Sequence, residues 1–331
     1  MKLKKLVLGL GLTTTSVFAL ASCNQSRTIE ASYVDLNGDV QEVTVEKTND
    51  PNKVLDTLKV VSKAEGTTVE GTSMKSNCNM EMSGSVKNQS YKMNMDYNML
   101  IDSDAFYIYE KMNIEDAGRK QDIVVEATLI DGYAYVDSKV LGQSVKVKSP
   151  IESSSSFSEM IDKMNESKEE LENLKNRKME EMFKIMDVDY TSYNSSYEVI
   201  MNNESKVLDF INNNKMEVSK VTDSIYFSMN VYGDYLLNAW KLSGVSSAGT
   251  VTSVSQTDYA RFTIGYDAAT YLFNYLELDA SNATSLFGSI LKTGVDPSIN
   301  LNKLHAFIKF ELCNDVVREP ANASSYMSYG F

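Results

Sequence analysis

Histidine is nearly missing from this chain: His305 is the one imidazole in 331 residues. A Ser-His-Asp triad would have to use it, yet it falls inside a strand-like pattern and no Gly-x-Ser-x-Gly accompanies it. Also missing are His-Glu-x-x-His and Cys-x-x-Cys, which removes the usual zinc ligand sets, and no Gly-x-x-x-x-Gly-Lys offers a phosphate loop. No cofactor is implied, and a non-enzymatic protein is expected. Basic residues are outnumbered, 32 Lys and Arg against 45 Asp and Glu. A surface of that sign does not attract nucleic acid or anionic headgroups. Hydrophobic runs are short. The longest, Leu6 to Leu20, is broken by Thr13, Thr14, Thr15 and Ser16, whereas a spanning helix needs about 20 apolar residues.

That run has Lys2, Lys4 and Lys5 in front and Leu20-Ala21-Ser22-Cys23 behind, the layout of a secretory signal. Leu-Ala-Ser-Cys resembles the lipobox of bacterial membrane lipoproteins. The resemblance implies cleavage after Ser22, lipidation of Cys23, and attachment to the extracytoplasmic face of the cell membrane through an N-terminal lipid anchor. Loss of residues 1–22 takes three lysines and no acid, so the formal charge moves from −13 to −16. The lipid, not a basic patch, would then hold the protein to its membrane. Residues 23–27 form a short tether; the four residues after Cys23 reach roughly 14 Å fully extended. The rest, 28–331, is expected to be a single extracytoplasmic α+β domain. With Cys23 lipidated, Cys78 and Cys313 remain. They are either two buried thiols or a disulfide, which could persist outside the cytosol.

Within 28–150 the pattern is mostly strand. Residues 28–35 and 40–47 alternate around Leu36-Asn37-Gly38-Asp39, a tight hairpin signal. Asp50-Pro51 starts a helix with Val54, Leu55, Leu58 and Val61 on one face, ending near Glu65-Gly66. Cys78, Met80 and Met82, then Tyr91, Met93, Met95, Tyr97 and Met99, alternate with polar residues in two antiparallel strands. Strands over 105–114, 122–130, 133–137 and 144–148 continue a meander, with turns at Asp116-Ala117-Gly118 and Asp131-Gly132.

Residues 151–214 read as a helical cover. Phe157, Met160, Ile161, Met164, Leu171, Leu174, Met182, Phe183 and Met186 recur at helical spacing, and a second helix is expected over 204–213. The segment 215–315 returns to strands at 215–231, 259–266, 270–279 and 302–312. Residues 243–256 read as a mobile loop or edge hairpin, and 316–331 as a polar tail. Asp187-Val188-Asp189 starts like a calcium loop but lacks its glycine and closing glutamate.

The order of helix, meander, helices and further strands behind a lipobox looks like lipoproteins of the LolA/LppX-like superfold. Tyr91–Met99, the Asp-Gly-Tyr-Ala-Tyr-Val run at 131–136 and Tyr266-Asp267-Ala268-Ala269-Thr270-Tyr271-Leu272 carry the likeness. The resemblance implies a curved antiparallel sheet, an unclosed half-barrel covered on one side by amphipathic helices, and carriage of a lipid or acylated small molecule. The opening hairpin departs from that pattern.

Met80, Met82, Tyr91, Met93, Met95, Tyr97 and Met99 are the candidate ligand-lining residues, since residues two apart share a strand face and methionine adapts to varied apolar shapes. The competing reading is plain sheet core under the long helix. That would leave a surface interaction lipoprotein with a solid core, meeting an envelope protein partner through loops such as 243–256. A third reading is Cu(I) handling by Met-x-Met pairs, although no histidine or cysteine cluster supports a metal site.

Overall fold

The computed structural model describes residues 29–63, 73–102, 105–140, 142–150, 183–184, 186–233, 235–236, 255–294 and 297–328. The leader 1–22, Cys23, the tether and most of the predicted long helix and 243–256 loop lie outside them.

β1 (Ile29–Val34) and β2 (Val40–Val45) form the opening hairpin. Its turn is wider than an Asn-Gly pair: the Asp35 amide donates to the Asp39 carbonyl, and only Gly38 has positive φ, at 90°. The Asp35 carboxylate accepts from the Asn37 and Asp39 amides at 2.9 and 3.0 Å, so the loop is built around an aspartate. β3 (Lys47–Thr48) precedes α1 (Pro51–Ser62). The Asp50 side chain accepts from the Asn52 amide, Pro51 opens the helix, and Val54, Leu55, Leu58 and Val61 are buried as their spacing predicts.

Six strands follow: β4 (Ser73–Val86), β5 (Gln89–Ile101), β6 (Phe106–Asp116), β7 (Arg119–Ile130), β8 (Tyr133–Val140) and β9 (Gln143–Pro150). Each pairs antiparallel with the next. Lys87-Asn88, Ala117-Gly118 and Asp131-Gly132 all take positive φ at both positions, the two-residue turn whose twist suits a hairpin.

α2 (Ser196–Asn202) falls within the stretch expected to be helical, though no separate helix was expected there. Ser195 caps it, accepting from the Glu198 amide at 3.2 Å. α3 (Glu204–Asn213) matches its predicted span. The single strand expected over 215–231 is instead a hairpin of β10 (Glu217–Val221) and β11 (Ser224–Tyr232), because Thr222 turns the chain at φ 54°. β12 (Tyr259–Asp267) and β13 (Phe273–Asp279) lead to α4 (Thr284–Gly294), a further unmarked helix, and then β14 (Ile299–Cys313).

The tail is no free polar end. Asp315 is ion-paired with Lys75, Val317 is buried, and Glu319 accepts from the Tyr135 hydroxyl. Tyr326 packs edge-on against Tyr135 at 5.5 Å. β15 (Met327–Ser328) then pairs in parallel with Val147 and Lys148 of β9.

The chain divides into two compact units. The first holds β4–β9, β14 and β15. Its sheet order is β15-β9-β8-β7-β6-β5-β4-β14, open and, apart from β15, antiparallel. Met99, Phe106, Leu129 and Ala134 form a core cluster there, with Met74, Tyr97, Ile101 and Ile108 packed against it. The second holds the β1–β2 hairpin, the four helices found among the described residues, and strands ordered β13-β12-β11-β10-β3. In it α1 packs on α2, α3, β1, β2 and β10. The fold class is α+β and mostly sheet.

Candidate functional site

The predicted methionine strands are neighbours, and their register is specific. Met80 faces Met95 and Met82 faces Met93 between β4 and β5; Cys78 faces Tyr97, Ser76 faces Met99, and Gly84 faces Tyr91. On the far side of β5 the rows continue onto β6, where Met95 meets Met112, Met93 meets Ile114 and Tyr97 meets Glu110. On the far side of β4 they continue as Leu304, Ala306, Ile308 and Phe310 of β14. All seven candidate lining residues therefore share one face of the first unit's sheet. Met80, Met82, Met93 and Met95 are only 3–4% exposed, Tyr91 5% and Met99 7%; Tyr97 is half-buried.

The opposite face is polar, as the alternation predicts. Asn79 donates to Asn94 and Asp96 at 2.9 and 2.7 Å, Asn113 donates to Asp122 at 2.7 Å, and Lys303 pairs with Glu81.

Four polar groups stand on the methionine face. The Tyr91 hydroxyl and the Ser76 hydroxyl are buried without a hydrogen-bond partner. The Tyr91 ring lies over Gly84, where an added Cβ would collide with the Asn300 carbonyl oxygen and crowd the ring. Burial raises the Tyr91 phenol above its ordinary value. Glu110 faces Tyr97 across the pair, and burial pushes its carboxyl above the usual range. Tyr97 is raised first by burial and then by the Glu110 charge. Its hydroxyl points to the Met99 sulfur at 3.8 Å. Ser76, Glu110, Met112 and Ile114 were not singled out from the sequence. Strand register was the signal that could have found the last three, since pairing β5 with β6 puts Met112 beside Met95.

Cys78 and Cys313 are both free thiols. Cys313 sits opposite Ser73, five positions from Cys78 along β4. That is roughly 17 Å at strand spacing, far beyond disulfide reach. The disulfide alternative is thus replaced by two thiols. Burial, then the Asp96 charge, pushes Cys78 up to about 11.

His305 lies on β14 opposite Glu81. Asp189 holds a local turn, accepting from the Thr191 amide and hydroxyl at 3.0 and 2.7 Å. Among the described residues there is no group of three His, Cys, Asp or Glu side chains placed to hold a metal, and no helix long and apolar enough to cross a membrane.

Comparison with protein-family models and with curated proteins finds no match to the chain.

Proposed function

We propose that this chain is a lipid-anchored extracytoplasmic protein that binds or carries an apolar, lipid-like ligand close to the membrane. The anchor would be Cys23, and the short tether would keep the first strand near the bilayer. The first unit's sheet would be a curved, unclosed half-barrel covered on one side by an amphipathic helical segment; α2 and α3, the described helices of 151–214, pack instead on α1 in the second unit. No chemistry on the ligand is implied.

One observation carries the reading: the Tyr91 and Ser76 hydroxyls are buried on the methionine face without partners. A solid core pairs such groups, because each orphan costs about 1–3 kcal/mol. An amphiphile would satisfy both needs, with its chain over Met80, Met82, Met93 and Met95 and its polar end at Tyr91. A second reading, an interaction lipoprotein with a solid core, draws support from the packed cluster around Met99 and Phe106. An envelope protein would then be the partner.

The deciding experiment is native mass spectrometry of residues 24–331, secreted from a bacterial host, followed by organic extraction of what co-purifies. A lipid adduct that is weakened in Tyr91→Phe supports the carrier. A bare mass, unchanged after incubation with membrane lipid extract, favours the solid core. Anchoring is tested separately by Cys23→Ala, which should leave an uncleaved, unlipidated precursor; mature-sized membrane protein would exclude the lipobox.

A further inference from the structure

We infer that, given the carrier reading on which this rests, the ligand is a cationic amphiphile: an alkyl chain bearing an amine whose ammonium pairs with Glu110. Register puts Glu110 on the methionine face, between Tyr97 of β5 and Val125 of β7. Ile108 and Met112 flank it along β6, since residues two apart share a face. Asp116 and Arg119 also lie on this face, but they oppose each other at the outer end of the β6–β7 hairpin. Along the strands between the turns, Glu110 is the one charged side chain on this face among the described residues.

The carboxylate has no counterpart. Among the described residues no hydrogen bond or ion pair reaches it, and burial raises its carboxyl with no neighbouring cation to offset the rise. A half-buried carboxylate so placed costs stability until an opposite charge meets it. A second unmet group stands close by. Ser76 is 1% exposed with its hydroxyl unpartnered, and it lies one row along from Cys78, which faces Tyr97 and, beyond it, Glu110. Access comes from the β9 side. The row through Glu110 runs from Cys78, 8% exposed, through half-buried Tyr97, Val125 and Ser138 to Val145, 47% exposed. A ligand therefore reaches Glu110 without displacing the methionines of β4 and β5.

Charge selects among ligand classes. A fatty acid or a phosphate ester would set a second negative charge beside Glu110. A neutral glyceride or sterol would seal the carboxylate from water without pairing it. A divalent metal needs several oxygen or imidazole ligands, and no group of three such side chains stands among the described residues. An alkylammonium meets each requirement. Its N–H groups donate to the Glu110 carboxylate, and its chain spreads over Ile108, Met112 and Val125.

The test is native mass spectrometry of the full-length chain, released from dodecyl maltoside micelles after incubation with dodecylamine, dodecanol or laurate. The three probes share the detergent's tail, so only the polar end differs. Dodecylamine should bind roughly tenfold or more tighter than dodecanol, and laurate weakest of all. Glu110→Gln should abolish the preference for the amine and leave dodecanol binding unchanged, with the same circular dichroism, while Lys111→Gln on the opposite face alters neither. If Glu110→Gln fails to fold, the order of the three probes on the natural chain decides alone. Equal binding of all three, or an amine preference that survives Glu110→Gln, overturns the inference and leaves the carrier reading standing. Absence of every adduct removes both.

Discussion

The surroundings of Lys59 in the second unit and the methionine face of the first treat buried polar groups in opposite ways. In the second, Lys59 is almost sealed, with a side chain 5% exposed, yet its ammonium meets Glu204 at 2.5 Å and Asp56 at 3.8 Å. It also sits 4.8 Å from the Tyr33 ring centre, and the Tyr33 hydroxyl donates to Asp56 at 2.6 Å. Lys63 donates to the Ser32 carbonyl at 2.8 Å, and the Tyr197 hydroxyl to that of Val34. A closed set of partners thereby fastens the β1–β2 hairpin to α1, α2 and α3. Asp267, 2% exposed, likewise accepts from the Ala269 and Thr270 amides and the Thr270 hydroxyl. On the methionine face of the first unit, Tyr91 and Ser76 find no partner at all. The closed network around Lys59 is the mark of a scaffold, while the second unit's own orphans, Asn214 Oδ1 and Asn274 Oδ1, sit at the end of α3 and at the β13 bulge. Orphans in an otherwise regular sheet mark a surface shaped for something else.

Substitutions can break that contrast. Met95→Asp places a carboxylate between Met80 and Met112 and should cost about 3–5 kcal/mol, read by urea unfolding; a loss under about 1 kcal/mol would mean the face is wet. Glu204→Ala removes the nearest partner of Lys59 and should cost about 1–2 kcal/mol, tempered by the exposure of Glu204. A neutral result would show that Asp56 and the Tyr33 ring suffice.

A pair of identical changes sharpens it further. Tyr33→Phe should destabilise by about 1–2 kcal/mol because Asp56 loses a donor, while Tyr91→Phe should be neutral or stabilising by about 1 kcal/mol. Equal losses would erase the distinction between the units.

Glu110 gives the pH version. Its carboxyl is raised in the folded state, so between the unfolded and folded values the native chain holds more protons. Stability is full below the ordinary glutamate range and falls as pH rises through the folded value. Glu110→Gln should abolish that decline in melting temperature; an unchanged profile would assign it elsewhere. The smallest effect concerns thiols. Cys78, buried and pushed up to about 11, should react with a thiol reagent at pH 8 far more slowly than the half-buried Cys313. Comparable rates, read by mass spectrometry, would mean that β4 opens readily.

Much of the first unit was legible in the sequence because its hairpins are local: alternation and short turns set β4 to β9. The second unit was harder to read for physical reasons. Thr222 makes a turn without glycine or asparagine, so two strands read as one. α4 carries Gly288 and several Ser and Thr residues, weak helix formers, and burial of Leu286 and Phe287 compensates. β15 follows Tyr326, which packs on Tyr135, and has no pattern of its own. The methionine face was visible as a stripe, but its orphans were not, since a missing partner appears only when every neighbour is known.

The pairing of β14 with β4 has a consequence in time. Fourteen residues of β4 hydrogen-bond to a strand that begins 213 positions after β4 ends. At a synthesis rate of roughly 5–20 residues per second, the flank of β4 stays unpaired for roughly 10–40 s after its own hairpin has emerged. Throughout that interval the nascent sheet shows an open ladder beside a row of methionines, a template for neighbouring chains on the same message. The hazard ends only when β14 emerges and pairs along β4.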